Sequence, residues 1–333
     1  MTAVKLTDVA RRAGVSLATA SRVVNGSDRK PAEAIAERVR AAADALGYIP
    51  NAQAQALARS ATGLLGLVVH DIADPYFSTI TRGAQRFSRD SHSQVLLAST
   101  DRDEQAEVDA VAAFASYRTD AIILAGSRGQ HSDEALNREL RRYTANGGRV
   151  VTLGKAAVPG ARVVEIGNRQ GARALTAALI ERGITRFAIL SGPPQLVTTQ
   201  DRVAGYRDAL SAAGLAPQVV VEGGFNREGG YRSALACWEQ LDGLDDVCVL
   251  AANDVMALGA LSAFRSLGLR VPEDVQLAGF DDIPTLLDHA PLLTTFWLPL
   301  ELIGEQVAEL ALSPDVAGPV KIQGEVRLRE STR

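Results

Sequence analysis

The sequence is short of cysteine and of long apolar runs, and both shortages narrow what the protein can be. Only two of its 333 residues are cysteines, Cys237 and Cys248, with no Cys-x-x-Cys pair and no neighbouring histidine. Neither a metal site nor a disulfide framework is therefore predicted, and we interpret both cysteines as small core residues. No stretch approaches the roughly 18 apolar residues of a membrane span, and no signal-peptide core follows residues 2–6. These absences predict a cytoplasmic protein without membrane contact.

Catalytic signatures are missing as well. The sequence contains no Gly-x-Ser-x-Gly, no Walker loop and no His-Glu-x-x-His. His70 and Asp71 resemble a catalytic pair, but no nucleophile motif accompanies them. Asp281 and Asp282 are adjacent, and in an extended segment adjacent side chains point to opposite faces, so they make a poor acid–base pair. We predict neither enzyme activity nor a cofactor.

Charge is distributed unevenly along the chain. The formal net charge is −4, but the first 60 residues hold nine basic and five acidic side chains, a net of +4, so the remainder carries −8. A basic head on an acidic body fits a polyanionic partner at one end, although a solvated basic face is an equally good interpretation of charge alone.

Apolar spacing divides the chain near residue 63. Residues 5–47 have helical spacing with breaks at Gly14 and between 26 and 31, which predicts three short helices. Beyond residue 63, apolar runs of strand length alternate with amphipathic segments, which predicts parallel sheets with helical crossovers in two doubly wound lobes. The predicted strands are 64–69, 94–98, 121–125, 149–153, 187–190, 219–221, 247–251 and 275–278, with an edge strand at 321–329.

The segment 6–25 has the pattern of a helix-turn-helix. Gly14 lies at the turn and Ser16 is placed to cap the second helix, which leaves Leu17, Ala18 and Arg22 on its outer face. Arginine is the side chain best suited to bidentate contact with guanine in the major groove, so Arg22 is the predicted base contact. The alternative is a helical hairpin with a solvated polar face.

The short polar side chains of the same helix suit phosphate contacts, which set register rather than sequence preference. They are Ser16, Thr19, Ser21 and Asn25.

Several motifs resemble the LacI/GalR family of ligand-responsive transcriptional regulators, and the likeness extends over nearly the whole chain. They are Asp8-Val9-Ala10, Ala13-Gly14-Val15-Ser16, residues 19–25, Leu46-Gly47-Tyr48-Ile49-Pro50-Asn51 and Ala56-Leu57-Ala58. The resemblance implies an α/β protein with a three-helix headpiece, a hinge helix and a periplasmic-binding-protein-like core. It also implies a homodimer on a pseudo-palindromic double-stranded operator. Two positions depart from the family pattern, because Ala32 and Ile35 stand where a serine or threonine usually caps the third helix.

In that family the hinge segment folds on DNA, and the leucine matching Leu57 wedges into a central base step in the minor groove. A helix as short as residues 52–59 is unstable alone in water, so folding coupled to DNA binding is physically reasonable. The predicted DNA-contacting residues are Leu6, Ser16, Leu17, Ala18, Thr19, Ser21, Arg22, Asn25, Tyr48, Asn51, Ala54 and Leu57.

The resemblance also implies an effector between two lobes, and the residues support it independently. In open α/β sheets ligands bind beyond the carboxyl ends of strands, where several polar segments begin. Arg202 offers a fork of donors, Asn253 a donor and an acceptor, and Asp281 two acceptors, a set that suits a sugar or a small polar heterocycle. The predicted effector-binding residues are Tyr76, Phe77, Thr198, Arg202, Phe225, Asn253, Asp281 and Trp297. The alternatives are core packing for the aromatic residues and an interlobe salt bridge for Arg202 with Asp281.

The predicted domains are a headpiece (1–50), a hinge (51–62) and an effector-binding and dimerisation core (63–333). Within the core, one lobe takes about 63–161 and 299–318, and the other about 162–292 and 320–330. Two rival functions remain at this point, a solute-binding protein and a sugar-processing enzyme fused to a DNA-binding domain. Nucleoid association follows from the leading hypothesis.

Overall fold

The computed structural model divides near residue 63, where the sequence changes from helical spacing to strand-length apolar runs. The two units are residues 1–63 and 64–333. The structure describes residues 4–25, 31–49, 61–129, 134–154, 160–241, 246–313 and 319–333. The predicted hinge helix and its residues Asn51, Ala54 and Leu57 lie outside these ranges.

The first unit contains the three predicted helices, α1 (Leu6–Ala13), α2 (Leu17–Asn25) and α3 (Glu33–Leu46). α1 ends at Gly14, whose positive φ of 63° suits glycine because it has no Cβ to clash. The predicted Ser16 cap is confirmed, because its Oγ accepts from the Thr19 backbone N–H at 3.1 Å. α3 forms without a side-chain cap at Ala32. The helices enclose a small core of Val9, Ala10, Ala13, Ala20, Val39 and Ala42.

The second unit alternates strands and helices, as predicted. In chain order its elements are β1 (Leu64–Val69), α4 (Pro75–Asp90), β2 (Gln94–Ser99), α5 (Glu104–Ser116), β3 (Ala121–Leu124), α6 (Glu134–Ala145), β4 (Arg149–Leu153), β5 (Arg162–Ile166), α7 (Asn168–Glu181), β6 (Phe187–Ser191), α8 (Val197–Ala212), β7 (Val220–Glu222), α9 (Arg227–Leu241), β8 (Cys248–Ala251), α10 (Asp254–Ser266), β9 (Gln276–Ala278), a 3₁₀ helix (Pro284–Asp288), β10 (Thr295–Trp297), α11 (Leu300–Leu312), β11 (Val320–Ile322) and β12 (Glu325–Arg327).

Two parallel sheets confirm the prediction of two doubly wound lobes. The first lobe has the strand order β11-β5-β4-β3-β1-β2 and the second β7-β6-β8-β9. All pairs within both sheets are parallel. β10 and β12 form a separate antiparallel pair. Cys237 and Cys248 are buried in the core, as predicted.

Strand pairing differs from the predicted lobe limits at two places. β5 pairs with β4 and β11 pairs with β5, so residues 162–166 and 320–322 belong to the first lobe's sheet. The single edge strand predicted at 321–329 is wrong, because it divides into β11 and β12 around Gly324. A Cβ at Gly324 would lie 2.3 Å from the Trp297 carbonyl oxygen, so this close approach of two backbones requires glycine.

Among the described residues, no helix is both long enough and apolar enough to cross a membrane.

Candidate functional site

One face of α2 presents the side chains predicted to contact DNA bases. Leu17, Ala18 and Arg22 are exposed, and Leu17 keeps 49% of its surface although it is apolar. The helix is anchored from the other side by Ala20, which is fully buried. A recognition helix needs this arrangement, because its first turns must be accessible while the opposite face is held by the core.

The polar residues of α2 are arranged in pairs. Ser16 Oγ and Thr19 Oγ1 lie 2.9 Å apart, and Asn25 Nδ2 donates to Ser21 Oγ at 2.9 Å. Leu6 and Tyr48, also predicted to contact DNA, are half-buried against the headpiece core. Packing is thus part of what these two residues do.

Arg38 on α3 is a structural residue that the sequence did not reveal. Its Nη2 donates to the carbonyl oxygens of Ala13 at 2.7 Å and Gly14 at 3.5 Å. Arg38 therefore links α3 to the turn between α1 and α2. This contact helps to hold α3 in place, because α3 has no capping side chain at its own N-terminus, Ala32. A cation at a helix C-terminus also interacts favourably with the helix dipole.

A cavity lies between the two lobes of the core, at the carboxyl ends of the strands. It encloses about 530 Å³ of space not filled by protein atoms, part of it open to solvent. Its lining comprises Asp74, Tyr76, Phe77, Arg102, Ala125, Ser127, Leu153, Gly154, Ile166, Asn168, Thr198, Arg202, Phe225, Asn253 and Asp281. Seven of the eight predicted effector-binding residues are among them.

The lobes touch at one side of this cavity. The Val197 N–H donates to the Arg128 carbonyl oxygen at 3.0 Å, and the Thr198 N–H to Ser127 Oγ at 3.4 Å. The start of α8 is thereby hydrogen-bonded to the segment that follows β3, so the two cavity walls are in direct contact.

Arg202 is the centre of the second-lobe wall. Its side chain is only 3% exposed and donates to Asp281 Oδ1 at 2.7 Å and Oδ2 at 3.3 Å, to Asn168 Oδ1 at 2.8 Å and to the Ala252 carbonyl oxygen at 2.7 Å. Its guanidinium also lies 3.8 Å from the Phe280 ring centroid. Four of five N–H donors are used, which leaves one Nη2 N–H with no acceptor among the described residues.

The salt bridge that the sequence allowed as an alternative therefore exists, but within one lobe. Arg202 is on α8 and Asp281 follows β9, and both elements belong to the second lobe. Because both side chains also line the cavity, ion pairing and ligand contact are compatible at these positions.

Asn253 has two tasks. Its Oδ1 accepts from the Met256 N–H at 2.9 Å and so caps α10, which leaves the Nδ2 donors for the cavity. Asp254 beside it is fully buried and accepts from Thr295 Oγ1 at 2.8 Å and from the Ile283 N–H at 3.0 Å. Burial raises the pKa of Asp254 well above its ordinary value, and the neighbouring Asp281 adds to the rise.

Asp281 and Asp282 are not extended, contrary to the prediction. Their φ values are 106° and 54°, a left-handed conformation that is strained for residues with a Cβ. Their carboxylates do diverge, since Asp281 pairs with Arg202 whereas Asp282 pairs with Arg327 and Arg329 at 2.7 Å. The turn therefore directs one carboxylate to the cavity and the other to the segment around β12.

Trp297 is the predicted effector-binding residue that does not line the cavity among the described residues. It lies on β10, and the guanidinium of Arg327 on the paired strand β12 stacks 4.6 Å from its ring centroid. Phe77 and Phe225 both line the cavity and belong to the core, so the two interpretations of these aromatic residues are compatible.

The first-lobe wall holds polar residues that the sequence did not single out. Asp74 caps α4 by accepting the Tyr76 N–H at 2.9 Å. Burial raises the pKa of Asp74 to about 6, with Asp281 and Asp71 adding to the rise, although the Tyr76 N–H and Arg102 oppose it. Arg102 follows β2, and its guanidinium lies 5.4 Å from the Phe225 ring centroid of the other lobe.

His70 lies behind this wall, and its ring contacts Ser127 and Glu107 rather than the adjacent Asp71. Its Nε2 donates to the Ser127 carbonyl oxygen at 3.1 Å, and its Nδ1 lies 3.8 Å from Glu107. Burial, followed by the charges of Arg102 and Arg128, lowers the pKa of His70 to about 3. The imidazole is therefore neutral at physiological pH. Within the described ranges no group of three side chains is arranged to hold a metal ion.

Comparison with protein families adds a second line of support. Residues 5–51 match the family described as bacterial regulatory proteins, lacI family, and residues 176–332 match a periplasmic binding protein-like domain.

Individual relatives match over almost the full chain. The HTH-type transcriptional regulator GalR of Escherichia coli (strain K12) is 33% identical over 310 residues, which cover 92% of this chain and 88% of GalR. The HTH-type transcriptional regulator CelR of Thermobifida fusca is 35% identical over 340 residues, which cover 97% and 96%. These relatives are named as regulators and not as enzymes, in agreement with the prediction.

Solved structures match as well. A transcriptional regulator CelR–cellobiose complex has a TM-score of 0.72 at 31% identity and covers 98% of this chain and 99% of its own. The lac repressor dimer bound to operator and the anti-inducer ONPF has a TM-score of 0.85 at 26% identity and covers 99% of both chains.

Proposed function

The chain belongs to the LacI family of bacterial regulatory proteins, and we propose that it is a repressor that binds a pseudo-palindromic operator as a homodimer and responds to a small polar effector. The lac repressor of known structure is a dimer on operator DNA, which supports the same assembly for this chain. The proposed site of action is the cytoplasm, at the nucleoid, because operator DNA is there.

The proposed DNA-binding surface is the exposed face of α2 together with the hinge. Arg22 contacts base edges, while Ser16, Thr19, Ser21 and Asn25 contact phosphates. Leu6 and Tyr48 support the headpiece core and contact the backbone of the duplex. The hinge residues Asn51, Ala54 and Leu57 complete the proposed surface.

The observation that carries the effector proposal is the buried set of Arg202, Asp281 and Asn253 at one cavity wall. Arg202 keeps one Nη2 N–H and Asn253 its Nδ2 donors, while Asp281 has acceptor lone pairs beyond its ion pair. Donors and acceptors held rigidly within one small cavity match the alternating hydroxyl groups of a sugar. The CelR–cellobiose complex supports this class of ligand.

Effector control follows from the position of the cavity between the lobes. A ligand that contacts both walls favours one arrangement of the lobes, and it shifts DNA affinity only if the two arrangements differ in their competence for the operator. We propose the headpiece (1–50), the hinge (51–62) and the core (63–333) as the units that carry out these steps.

A base-contacting role for Arg22 can be tested with an operator selected from random duplex DNA by the full-length protein. Arg22→Ala should weaken binding to the selected site by about 1 to 3 kcal/mol and relax base preference at one position. Arg12→Ala, at the exposed end of α1, is the control. An equal loss on selected and random DNA would rule out a base-reading role.

The effector half is tested by a thermal-shift screen of sugars, polyols and nucleosides, repeated with the selected operator present. A true effector should raise the unfolding midpoint by different amounts with and without DNA, because linkage is reciprocal. If every ligand that binds gives the same shift in both conditions, DNA binding is independent of the cavity.

A further inference from the structure

The cavity wall of the first lobe contains guanidinium N–H groups that have no hydrogen-bond acceptor among the described residues. Arg102 makes no hydrogen bond and no ion pair with any described residue, and its Nη1 is buried without an acceptor. Arg128 pairs with Glu107 through Nη2 at 2.9 Å, but its Nε and Nη1 are buried and without acceptors. Arg102 lines the cavity, and Arg128 directly follows the lining residue Ser127.

Strand order explains why these two cations are neighbours. β3, β1 and β2 are adjacent in the sheet, and Arg128, His70 and Arg102 follow their respective carboxyl ends. Both arginines act on the same His70 imidazole and help to lower its pKa. The sheet therefore brings both guanidinium groups to one corner of the cavity.

Arg102 and Arg128 are half-buried, and a guanidinium nitrogen that is buried without an acceptor is energetically unfavourable unless something else compensates for its lost hydration. Burial accordingly lowers the pKa of Arg102 and of Arg128. At the opposite wall, in the second lobe, Arg202 is compensated in the usual way, because it pairs with the Asp281 carboxylate and most of its N–H donors have protein acceptors. Nothing in the described chain does the same for Arg102.

We propose that the effector carries an oxyanion, a carboxylate or a phosphate group, which binds Arg102 directly with Arg128 as the second cation behind it. This inference rests on the proposed function, since it assigns the chemical class of the effector in the same cavity. The remainder of the ligand, a sugar-like body, lies against Arg202, Asn253 and Asp281.

Nearby carboxylates do not remove this requirement. Burial lowers the pKa of Arg102, and the charges of Asp74, Asp71 and Glu107 partly offset this fall. None of these three carboxylates forms an ion pair with Arg102 in the described part of the chain. Asp74 already accepts the Tyr76 N–H, and Glu107 is bound to Arg128. The remaining donors are thus positioned for an acceptor that arrives from the cavity.

The first test uses inorganic phosphate as the probe and the full-length protein. Unfolding midpoints are measured in phosphate and in sodium chloride at equal ionic strength for the wild type, Arg102→Gln, Arg128→Gln and Arg142→Gln. Arg142 is the matched control, because it lies in the same lobe and its side chain is 78% exposed. Phosphate stabilises proteins in general by exclusion from their surface, so only differences between variants count.

The wild type and Arg142→Gln should show an additional phosphate-dependent rise that Arg102→Gln lacks and Arg128→Gln shows only in part. An equal rise in the wild type, Arg102→Gln and the control would overturn the proposal. Arg102→Gln carries the test by itself if Arg128→Gln does not fold, since Arg102 has no ion pair to lose.

The second test distinguishes the two sources of the oxyanion. Calorimetric titrations compare a hexose, its uronic acid and its 6-phosphate in the galactose and glucose series. The preferred anionic member should bind roughly 10- to 100-fold more tightly than the neutral sugar, and Arg102→Gln should abolish this preference. Tighter binding of the uronic acid identifies a carboxylate, and of the sugar phosphate a phosphate.

If the neutral hexose binds at least as tightly as both anionic members, the oxyanion proposal is wrong while a sugar-controlled regulator remains. If no sugar of the panel binds, the phosphate measurement decides the proposal.

Discussion

The two walls of the interlobe cavity each contain an arginine, buried in the second lobe and half-buried in the first, and the two arginines differ in their polar partners. Arg202 in the second lobe has Asp281, Asn168 and a carbonyl oxygen as acceptors, whereas Arg102 in the first lobe has no polar partner among the described residues. We call the second-lobe wall complete, because the donors of Arg202 are largely bound by protein acceptors before a ligand binds. We call the first-lobe wall incomplete, because Arg102 has N–H donors without acceptors. A hydrogen-bond network whose members are all satisfied holds its side chains in one geometry, whereas a cation with unsatisfied donors favours a ligand of opposite charge.

The largest effect is expected when the complete wall is broken. Arg202→Met leaves Asp281 buried without its cation, which should lower the free energy of unfolding by about 3 to 5 kcal/mol. Chemical denaturation measures the change. Adding Asp281→Asn in the same chain should restore part of the stability, because the uncompensated charge is then gone.

An exposed pair in the same lobe serves as the control. Arg169 donates to both Asp208 oxygens at 2.7 and 3.0 Å, with side chains 56% and 37% exposed. Arg169→Met should leave the free energy of unfolding almost unchanged, since solvent screens exposed pairs. Similar losses for the two arginines would contradict the claim that burial distinguishes the Arg202 network.

Asp74 on the incomplete wall should give the next largest effect, visible as a pH dependence. Its folded-state pKa of about 6 lies above the unfolded value near 3.8, so the folded state holds the proton more tightly. Its contribution to stability is therefore greatest below pH 4 and is lost as the pH rises through 6, by up to about 3 kcal/mol.

Asp74→Asn keeps a capping oxygen and should remove this loss, so the variant gains stability over the wild type as the pH rises from 4 to 7. His70, with its lowered pKa, works in the opposite direction over part of this window, so the difference between variant and wild type is the diagnostic quantity. Asp103→Asn is the control, because Asp103 caps α5 in the same way through the Ala106 N–H. A pH-independent difference for Asp74→Asn would argue against a buried carboxyl.

The smallest effect is expected for Arg102→Gln without ligand. Arg102 has no ion pair to lose, and glutamine tolerates its φ of 65° no worse than arginine. Stability should change by less than about 1 kcal/mol in either direction. A loss as large as that of Arg202→Met, measured by the same denaturation, would reveal a partner for Arg102 and make the two walls equivalent.

Sequence patterns predicted the complete wall better than the incomplete one. Arg202, Asn253 and Asp281 occur in recognisable motifs, so resemblance and side-chain chemistry pointed to them together. Arg102, Arg128 and His70 follow three different strands and share no motif. Only the order of adjacent strands brings them together, and strand order is a long-range property that local periodicity does not contain. The rule that ligands lie at carboxyl strand ends, applied to every predicted strand, indicates both arginines.

The remaining differences in fold have the same origin. β5 (Arg162–Ile166) is half-buried along most of its length and contains a glutamate, so no continuous apolar run marked it. The last two strands were predicted as one, because alternation continues across Gly324 while the pairing partner changes from β5 to β10. Trp297 was assigned to the cavity from its place in the chain, and its stacking on Arg327 depends on the pairing of β10 with β12.

The central claim is that the cavity controls DNA affinity, and an equilibrium titration of the selected operator tests it most directly. Operator affinity is measured by fluorescence anisotropy at fixed salt, with and without a saturating concentration of the tightest ligand from the screen. A change of roughly 5- to 150-fold is predicted for the wild type, with Arg22→Ala retaining the same ratio at lower affinity. A wild-type operator affinity that stays constant while the cavity is saturated would contradict the account.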